Sequence, residues 1–246
     1  MNRFYIERDQ ITERTITITG SDVNHIKNVL RMKLGEQIML CDCNGMDYQC
    51  EIAHLSDQAV EATILSKYET KTELNTRIYL FQGLPKKDKM ELIVQKAVEL
   101  GVAQVIPVMM KRTIVKLEDK KKEMKKIERW QSIATSAAKQ SNRGIIPQVS
   151  EVVTYSQALK MAEEMDLVLL PYENEHGMEE SRRIIKEAKG KKSIGIFIGP
   201  EGGFEESEIE MARELGMQPV TLGNRILRTE TAGLAILSIL MFELEQ

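Results

Sequence analysis

Over the first seventy residues, apolar and polar positions alternate along short stretches, a pattern that predicts β-strands. Between the second and third stretches, Val23, Ile26, Val29 and Leu30 recur with helical spacing and predict one helix with an apolar face. Together these elements favour a small β-barrel domain over residues 1–70. The predicted strands are Arg3–Ile6, Thr15–Thr19, Gln37–Cys43, Tyr48–His54 and Ala59–Leu65.

The polar segment Lys67–Asn75 is predicted to be a linker, and beyond it strands alternate with longer amphipathic helices. This alternation predicts an α/β domain over residues 71–246, built on a parallel sheet with helices on both faces. Its predicted strands are Arg77–Phe81, Val105–Met109, Leu167–Leu170, Ser193–Ile198 and Pro219–Leu222. Its predicted helices are Lys87–Leu100, Lys120–Gln140, Ser156–Met165, Met178–Ala188, Glu205–Leu215 and Thr229–Leu244.

The last predicted helix differs from the others because it is apolar around most of its circumference. It begins with small residues at 232, 233 and 235, which favour close helix packing. A helix of this kind is expected to be buried in its own domain or shared with a second subunit. The sequence leaves both possibilities open.

The composition is that of an ordinary globular protein, with 42% hydrophobic and 29% charged residues among 246. The net charge is −3, but residues 111–143 contain 11 Lys and Arg against 4 Asp and Glu. A basic segment in an acidic chain indicates either a site for a polyanion or a solvated helix face. Charge alone does not decide between them.

Simple features of the sequence disfavour several classes of protein. No stretch approaches the ~18 apolar residues of a membrane span, and the charged N-terminus is unlike a signal peptide, so a cytoplasmic protein is expected. The three cysteines are too few for a disulfide framework, and with His54 they match no zinc-ligand spacing, so no metal is expected. P-loop, Rossmann, G-x-S-x-G and H-E-x-x-H motifs are absent from the sequence.

Three loops that follow predicted strands carry the candidate chemistry, because ligands of open parallel sheets bind beyond the carboxyl ends of the strands. They are Leu169–Glu175, Ile198–Phe204 and Leu222–Ala232. Gly202 and Gly203 allow positive φ angles and close approach of the backbone to a ligand. The helix that follows them begins with carboxylates that would repel a phosphate. The loop therefore predicts an uncharged or cationic ligand.

These loops and other motifs resemble the SPOUT methyltransferases and, more narrowly, the RsmE family of 16S ribosomal RNA uridine N3-methyltransferases. The motifs are IGPEGGF, LGNRILRTETA, HIKNVLRMKLGE, LPKKDKME, QKAVELGV, the pair Arg129-Trp130 and AAKQSNRGIIP. The resemblance implies a PUA-like RNA-binding barrel, a knotted α/β domain with a C-terminal trefoil knot, S-adenosylmethionine as methyl donor, and a homodimer. The implied reaction is methylation at N3 of one uridine of 16S rRNA, with the 30S subunit as the substrate.

The resemblance also implies a cofactor pocket made by the three loops. Apolar side chains and glycine-rich backbone of this kind suit an adenine ring, and a sulfonium cation tolerates acidic surroundings. The residues at matching positions are Leu170, Pro171, Gly199, Pro200, Glu201, Gly202, Leu222, Gly223, Ile226, Leu227, Arg228, Thr231 and Ala232.

Methyl transfer to N3 of uracil requires that the N3 proton leave, which spreads negative charge over N3, O2 and O4. Arg228 is the candidate for stabilising that charge. Glu201 and Glu230 are candidates for the base that accepts the proton. Glu201 could equally cap its own loop, and Glu230 could simply interact with the helix dipole.

RNA contacts are expected from both domains, with phosphate contacts supplying affinity and unpaired bases supplying specificity. The run Lys120–Lys126 could be an RNA surface or a solvated helix face. The rival functions are ribose 2′-O-methylation by another SPOUT enzyme and a ribosome-assembly protein that binds RNA without catalysis. The candidate RNA-binding residues are Lys27, Arg31, Arg112, Lys116, Asn142 and Arg143.

Overall fold

The computed structural model describes residues 1–114 and 120–245, and the chain divides into two compact units. The first unit comprises Met1–Glu73 and Ala138–Ile146, and the second comprises Leu74–Ala137 and Pro147–Gln246. The sequence predicts that the segment Ala138–Ile146 belongs to the second domain, whereas in the structure it belongs to the first unit.

A five-stranded sheet forms the first unit, with strand order β1-β3-β4-β5-β2. β1 and β3 are parallel, and the other neighbours are antiparallel. Alternate side chains of these strands form one buried core, as the alternating pattern predicts. The strands are β1 Arg3–Tyr5, β2 Thr15–Thr19, β3 Gln37–Cys41, β4 Met46–Leu55 and β5 Ala59–Glu69.

The linker prediction is wrong at its start, because β5 continues through Lys67 to Glu69. The exposed end of β5 pairs with the start of β4, where Glu69 lies opposite Met46. Backbone hydrogen bonds therefore hold this part of the strand without apolar side chains. The alternation of apolar residues cannot reveal a strand that lacks a buried face.

The helix prediction in the first unit is correct for its first half only. α1 spans Ser21–Asn24, and a π-helical turn, His25–Val29, follows it. Val23 and Ile26 are buried as predicted, but Val29 is 61% exposed and Leu30 is 36% exposed. The Leu30 N–H donates to His25 O, a five-residue spacing that widens the turn and rotates later side chains off the buried face.

The second unit contains a parallel sheet with strand order β12-β10-β11-β6-β7-β8, and β9 also pairs with β7. The predicted strands are all present; β8 and β9 are additional strands of two residues each. The strands are β6 Arg77–Gly83, β7 Val102–Met109, β8 Gln148–Val149, β9 Val153–Thr154, β10 Leu167–Pro171, β11 Ser193–Ile198 and β12 Gln218–Val220.

Helices cover both faces of this sheet, which confirms the predicted α/β arrangement. On one face, α4 and α6 pack on a core that includes Phe81 and Phe197, whose rings stack with centroids 4.4 Å apart. On the other face, α2 packs on α7, and α7 contacts β11. The helices are α2 Lys89–Glu99, α3 Lys120–Gln140, α4 Tyr155–Ala162, α5 Met178–Lys186, α6 Glu206–Glu214 and α7 Thr229–Leu244.

The last helix, α7, is only partly buried in its own unit. Ile236, Leu237 and Leu240 are fully buried, as the apolar pattern predicts. Phe242 is 82% exposed and Ile239 is 40% exposed, so one apolar stripe of α7 lies outside the core of the chain. Of the two possibilities that the sequence left open, burial in the domain accounts for one face of α7 only.

Candidate active site

Four loops of the second unit begin at the carboxyl ends of parallel strands, at one edge of the sheet. They follow β6, β10, β11 and β12, and the three loops singled out in the sequence are among them. The fourth, residues 84–88, connects β6 to α2. We refer to this region as the carboxyl edge. It is where ligands of parallel sheets bind.

A buried glutamine connects three parts of the carboxyl edge. Gln82, at the end of β6, is fully buried, and its Nε2 donates to Thr229 Oγ1 over 2.9 Å. Thr229 Oγ1 in turn donates to the carbonyl of Gly199 over 2.6 Å. Thr229 is the first residue of α7, so these bonds fix the start of α7 to the loop after β11. The sequence pattern did not identify Gln82, because it lies within an otherwise apolar strand.

Glycines allow the loops to pack at short range. A Cβ on Gly83 would lie 2.7 Å from Pro200 N, a backbone atom. Gly203 has φ +69°, and a Cβ there would lie 2.6 Å from Glu173 Oε1. The positive φ predicted for the glycine pair is therefore found at Gly203. It is not found at Gly202, where a Cβ would face Arg112 Cβ at 3.0 Å.

Two carboxylates share one lysine at the carboxyl edge. Lys89 Nζ lies 3.3 Å from Glu201 Oε1 and 3.2 Å from Glu230 Oε2. The Lys86 N–H also donates to Glu201 Oε1 over 2.9 Å. Lys86 and Lys89 were not among the predicted site residues, although both lie in the quoted motif LPKKDKME. Only the fold brings them to carboxylates more than a hundred residues away.

These contacts shift the pKa values of both partners. Burial by itself raises the pKa of the Glu201 carboxyl, but the Lys86 N–H and the Lys89 ammonium lower it below its ordinary value. Burial lowers the pKa of Lys89, but the carboxylates of Glu230 and Glu201 raise it above its ordinary value. Glu201 is therefore ionised and held in place by two donors. This geometry favours the loop-capping alternative for Glu201.

A small cavity opens beside the loops after β10 and β12. Five residues of the predicted cofactor set line it, and four further residues were not predicted. A Cβ on Gly223, which has φ +114°, would meet open space, so the missing side chain leaves room for a ligand. The predicted residues are Pro171, Leu222, Gly223, Leu227 and Ala232. The additional residues are Tyr172, Glu173, Thr221 and Arg225.

The cavity continues into a second hollow. The first holds about 50 Å³, and the second holds about 340 Å³. Glu173, Thr221, Gly223 and Arg225 line both, so the two form one depression. Glu173 places a carboxylate in its wall, which suits a cationic or hydroxyl-bearing ligand. Glu173 lies two residues beyond the end of β10. A carboxylate so close to the end of a parallel strand is a sequence signal that would have identified Glu173.

The remaining predicted cofactor residues do not line the smaller cavity. Leu170 is fully buried in the core, so only its backbone could approach a ligand. Ile226 is 87% exposed and lines the second hollow, so its place in an apolar slot for adenine stays a prediction. The loop containing Ile226 lacks secondary structure, so its apolar residue is not constrained to face the core. Six further predicted residues belong to the loops 198–204 and 222–232 but do not line this cavity. They are Gly199, Pro200, Glu201, Gly202, Arg228 and Thr231.

Arg228 immediately precedes α7 and is exposed. It is next to Thr229, which Gln82 and Gly199 hold in place. Within the described ranges, no hydrogen bond or ion pair of its guanidinium is found. Arg228 therefore presents a cation at the carboxyl edge, two residues before the carboxylate of Glu230.

The carboxylates at the start of α6 are partly used inside the protein. Glu208 is 1% exposed, and it accepts from the N–H groups of Lys111 and Glu205. Glu205 pairs with Arg112 over 2.8 Å. The prediction that this acidic turn repels a phosphate is therefore weakened, because two of its charges have partners.

Within residues 1–114 and 120–245, no helix has both the length and the apolar character of a membrane span. The same ranges also contain no group of three or more His, Cys, Asp or Glu side chains placed to hold a metal ion.

Comparison with known proteins identifies the family of this chain. An RNA methyltransferase domain matches residues 72–241, and an RNA methyltransferase PUA domain matches residues 18–65. Ribosomal RNA small subunit methyltransferase E of Bacillus subtilis is 39% identical over 251 aligned residues, covering 100% of this chain and 98% of that protein. The chain belongs to the ribosomal RNA small subunit methyltransferase E family.

Solved structures agree with this family assignment. The Neisseria gonorrhoeae member, bound to S-adenosyl methionine, is 35% identical with a TM-score of 0.77, covering 96% of this chain and 95% of that one. A Legionella pneumophila protein in complex with the bound cofactor SAM is 31% identical with a TM-score of 0.78, covering 97% and 96%. The second unit thus has the α/β fold of these RNA methyltransferases, and the PUA domain lies in the first unit.

The predicted RNA-binding residues of this family member fall into three groups. Lys27, Arg31 and Asn142 belong to the first unit; Arg31 and Asn142 are exposed with positive φ, and Lys27 pairs with Asp57. Arg112 belongs to the second unit, where it donates to Gly202 O and pairs with Glu205. Lys116 lies outside the described residues.

Arg143 is placed differently from its prediction. Its side chain is 5% exposed and pairs with Glu73, and Glu73 also accepts from the Gly144 N–H. A buried, paired guanidinium cannot contact a phosphate without breaking these bonds. The structure therefore assigns Arg143 to the stability of the first unit, where it secures the segment Ala138–Ile146. This corrects the prediction that Arg143 contacts RNA.

Replacing Arg143 by alanine is expected to lower the free energy of unfolding by about 3 kcal/mol, because it leaves the largely buried Glu73 carboxylate without its partner. Urea denaturation measures this change. The control is Arg183→Ala, since Arg183 is 62% exposed and an exposed pair contributes less than about 1 kcal/mol. A variant with unchanged stability and weakened RNA binding would restore the phosphate-contact role.

Proposed function

We propose that this protein transfers a methyl group from S-adenosylmethionine to N3 of one uridine of 16S rRNA, in the 30S subunit. The observation that carries the proposal is the carboxyl edge, where a glycine-lined cavity, the Arg228 cation and a pair of carboxylates lie on neighbouring loops. Membership of the methyltransferase E family supports it. Because the ribosome is the substrate, we place the activity in the cytoplasm.

The cavity residues fit this cofactor chemically. Leu222, Leu227 and Ala232 supply apolar surface for adenine, and Gly223 leaves the space that a side chain would fill. Glu173 supplies a carboxylate for ribose hydroxyls or for the sulfonium charge. When bound, S-adenosylmethionine supplies an activated methyl group. Two similar proteins, from Neisseria gonorrhoeae and Legionella pneumophila, have structures that contain S-adenosylmethionine, which supports this choice of cofactor.

The chain's own residues then have two tasks: to align the uracil and to stabilise its anion. The Arg228 guanidinium stabilises the charge that develops on O2 and O4 as the N3 proton leaves. Glu230 accepts that proton, since it follows Arg228 on the first turn of α7. Glu201 instead anchors the loop after β11 to the loop after β6, because its carboxylate accepts from the Lys86 N–H, whereas Glu230 Oε2 has no hydrogen-bond donor among the described residues.

Lys89 is a positioning residue in this scheme. Its ammonium lies between Glu201 and Glu230 and keeps two carboxylates close together without mutual repulsion. Gln82 acts in the same sense through Thr229, since it fixes the start of α7 that carries Arg228 and Glu230.

RNA contacts come from cations of both units, of which Arg31 and Arg112 are exposed and Lys27 is half-buried. Lys27 and Arg31 offer charge on the first unit, and Arg112 offers it at the loop after β7. We keep Asn142 as a candidate for reading an unpaired base, since it is exposed. Phosphate contacts of this kind supply affinity, and the uracil at the carboxyl edge supplies specificity.

We also propose that the protein is a homodimer that buries the exposed stripe of α7. Phe242→Glu is expected to convert the dimer to a folded monomer, because it places a carboxylate in the interface. Sedimentation velocity with circular dichroism measures this.

The control is Met124→Glu, a similar change at a 59% exposed residue of α3. Leu237→Glu and Leu240→Glu are unsuitable tests, because both residues are fully buried within one chain. A Phe242→Glu protein that sediments as the wild type does would exclude this face.

Nucleoside mass spectrometry of 16S rRNA from a deletion strain tests the reaction. We expect loss of 3-methyluridine and its recovery when the gene is restored. Loss of a 2′-O-methylated nucleoside would instead indicate ribose methylation, and an unchanged nucleoside profile would indicate an RNA-binding protein without catalysis. In vitro methylation of 30S subunits and of naked 16S rRNA then identifies the substrate form.

A further inference from the structure

A separate hollow of the second unit lies away from the cofactor cavity and from the second hollow beside it. It is bounded by the loop 84–88, the first turn of α2 and the middle of α3. We call it the α2–α3 groove. It holds about 320 Å³, which is within the range of small-molecule sites. Neither the cofactor nor the methyl transfer accounts for it. The residues used below are Lys87, Met90, Glu91, Lys126, Arg129 and Trp130.

The groove combines an apolar wall with a cationic rim. Met90 and Trp130 are almost fully buried and line it. Two lysines, Lys87 and Lys126, also line it, together with the acidic residue Asp88. An aromatic and apolar wall next to cations is the arrangement by which proteins bind unpaired nucleotides, with the base against the wall and the phosphate at the cations.

A bidentate ion pair keeps the groove open. Arg129 Nε lies 2.8 Å from Glu91 Oε1, and Arg129 donates a second bond over 2.9 Å to Glu91 Oε2. This pair joins α3 to the first turn of α2, so the groove is preformed in the absence of a ligand. It also neutralises Glu91, which would otherwise repel a phosphate.

The groove and the proposed catalytic site share one loop. Lys87 and Asp88 line the groove, while the adjacent Lys86 N–H donates to Glu201. Lys89, one residue further, contacts Glu201 and Glu230. An RNA strand with its target uracil at the carboxyl edge therefore has the groove as its neighbouring surface.

We propose that the α2–α3 groove binds an unpaired ribonucleotide next to the target uridine, with its base against Met90 and Trp130 and its phosphate at Lys87 and Lys126. The proposal rests on the proposed RNA methylation and adds a specificity subsite to it. It also assigns Lys126, in the basic run whose role the sequence left open, to RNA.

Trp130 is the only tryptophan of the chain, so its fluorescence reports directly on the groove. Titration of the full protein with single-stranded hexauridylate is expected to quench this fluorescence saturably. Lys126→Glu should weaken the binding about tenfold and lower the dependence of log K on log salt by about 0.7, the value for one phosphate contact on a single strand. Lys125→Glu is the matched control, since Lys125 lies on the same helix and does not line the groove.

Methylation of 30S subunits provides the second readout. Lys126→Glu is expected to raise KM for the subunit several-fold with kcat unchanged, while Lys125→Glu behaves as the wild type does. Equal effects of the two variants on both readouts, or RNA binding by filter retention without a change in Trp130 fluorescence, would overturn the proposal. A wild type that methylates no uridine would refute the proposed function, and the titration would still decide whether the groove binds a nucleotide.

Discussion

Arg228→Ala is expected to lower kcat about 100-fold or more, with a smaller change in KM for RNA. The charge on O2 and O4 develops only as the N3 proton leaves, so a cation that stabilises it acts mainly in the transition state. The loss matches that seen when one donor to a developing oxyanion is removed. The variant should fold, because Arg228 adopts extended backbone angles and its carbonyl still accepts from the Ala232 N–H.

Two related variants sharpen this prediction. Arg228→Lys keeps the charge but loses the planar guanidinium, so it should restore the rate only partly. Arg225→Ala is the matched control: Arg225 lines the cofactor cavity and should change KM for S-adenosylmethionine more than kcat. The rate should rise with pH in the wild type and in Arg228→Ala, since N3 ionises more readily. If Arg228→Ala raises only KM for RNA, Arg228 positions the substrate and takes no part in the chemistry.

Gly83→Ala is expected to weaken S-adenosylmethionine binding about ten- to a hundredfold. The new Cβ would lie 2.7 Å from Pro200 N, and neither backbone segment can move aside as a flexible side chain would. Overpacking of this kind costs about 1–3 kcal/mol, which displaces the loop after β11 from the carboxyl edge. Isothermal calorimetry measures the affinity, and circular dichroism verifies that the fold is intact.

Gly233→Ala is the control for this substitution. It adds the same methyl group within α7, where the nearest atoms would be 3.7 Å away, an ordinary contact. It should bind the cofactor as the wild type does and gain about 1 kcal/mol of stability from helix propensity. Wild-type affinity in Gly83→Ala would mean that the loops after β6 and β11 do not form the pocket together. Gly202 is a less suitable position for this test, because a Cβ there would face Arg112 rather than a ligand.

The sequence predicted the elements of the second unit accurately. The bounds of α3, β11 and α7 agree with their predictions to the residue. Apolar periodicity carries this information because the side-chain repeat of a helix or strand is a local property of the backbone. The prediction failed where the local repeat itself changed, at the π-helical turn that exposes Val29, and where the end of strand β5 lacks a buried face.

The candidate site was predicted in part. The loops after the parallel strands were identified from glycines and from motif resemblance, and five of the predicted residues line the cavity. Lys89 was missed, since it has no chemical role until its partners Glu201 and Glu230 are known. Glu173 was missed although it closely follows a parallel strand. Ile226 was assigned to the pocket by its position in the motif LGNRILRTETA, and its side chain is exposed beside the cavity.

By itself, the sequence determined the two-part organisation, the type of most elements and the loops where a ligand would bind, because these depend on neighbours along the chain. Only the tertiary structure decided how charges are paired and which apolar faces are covered. The strand order places β11 beside β6, which brings Glu201 to Lys86 and Lys89. Packing of Ala138–Ile146 against Glu73 buries Arg143, and Phe242 stays exposed on a helix that is otherwise apolar. Each of these outcomes depends on residues distant in sequence, so no local pattern could have specified it.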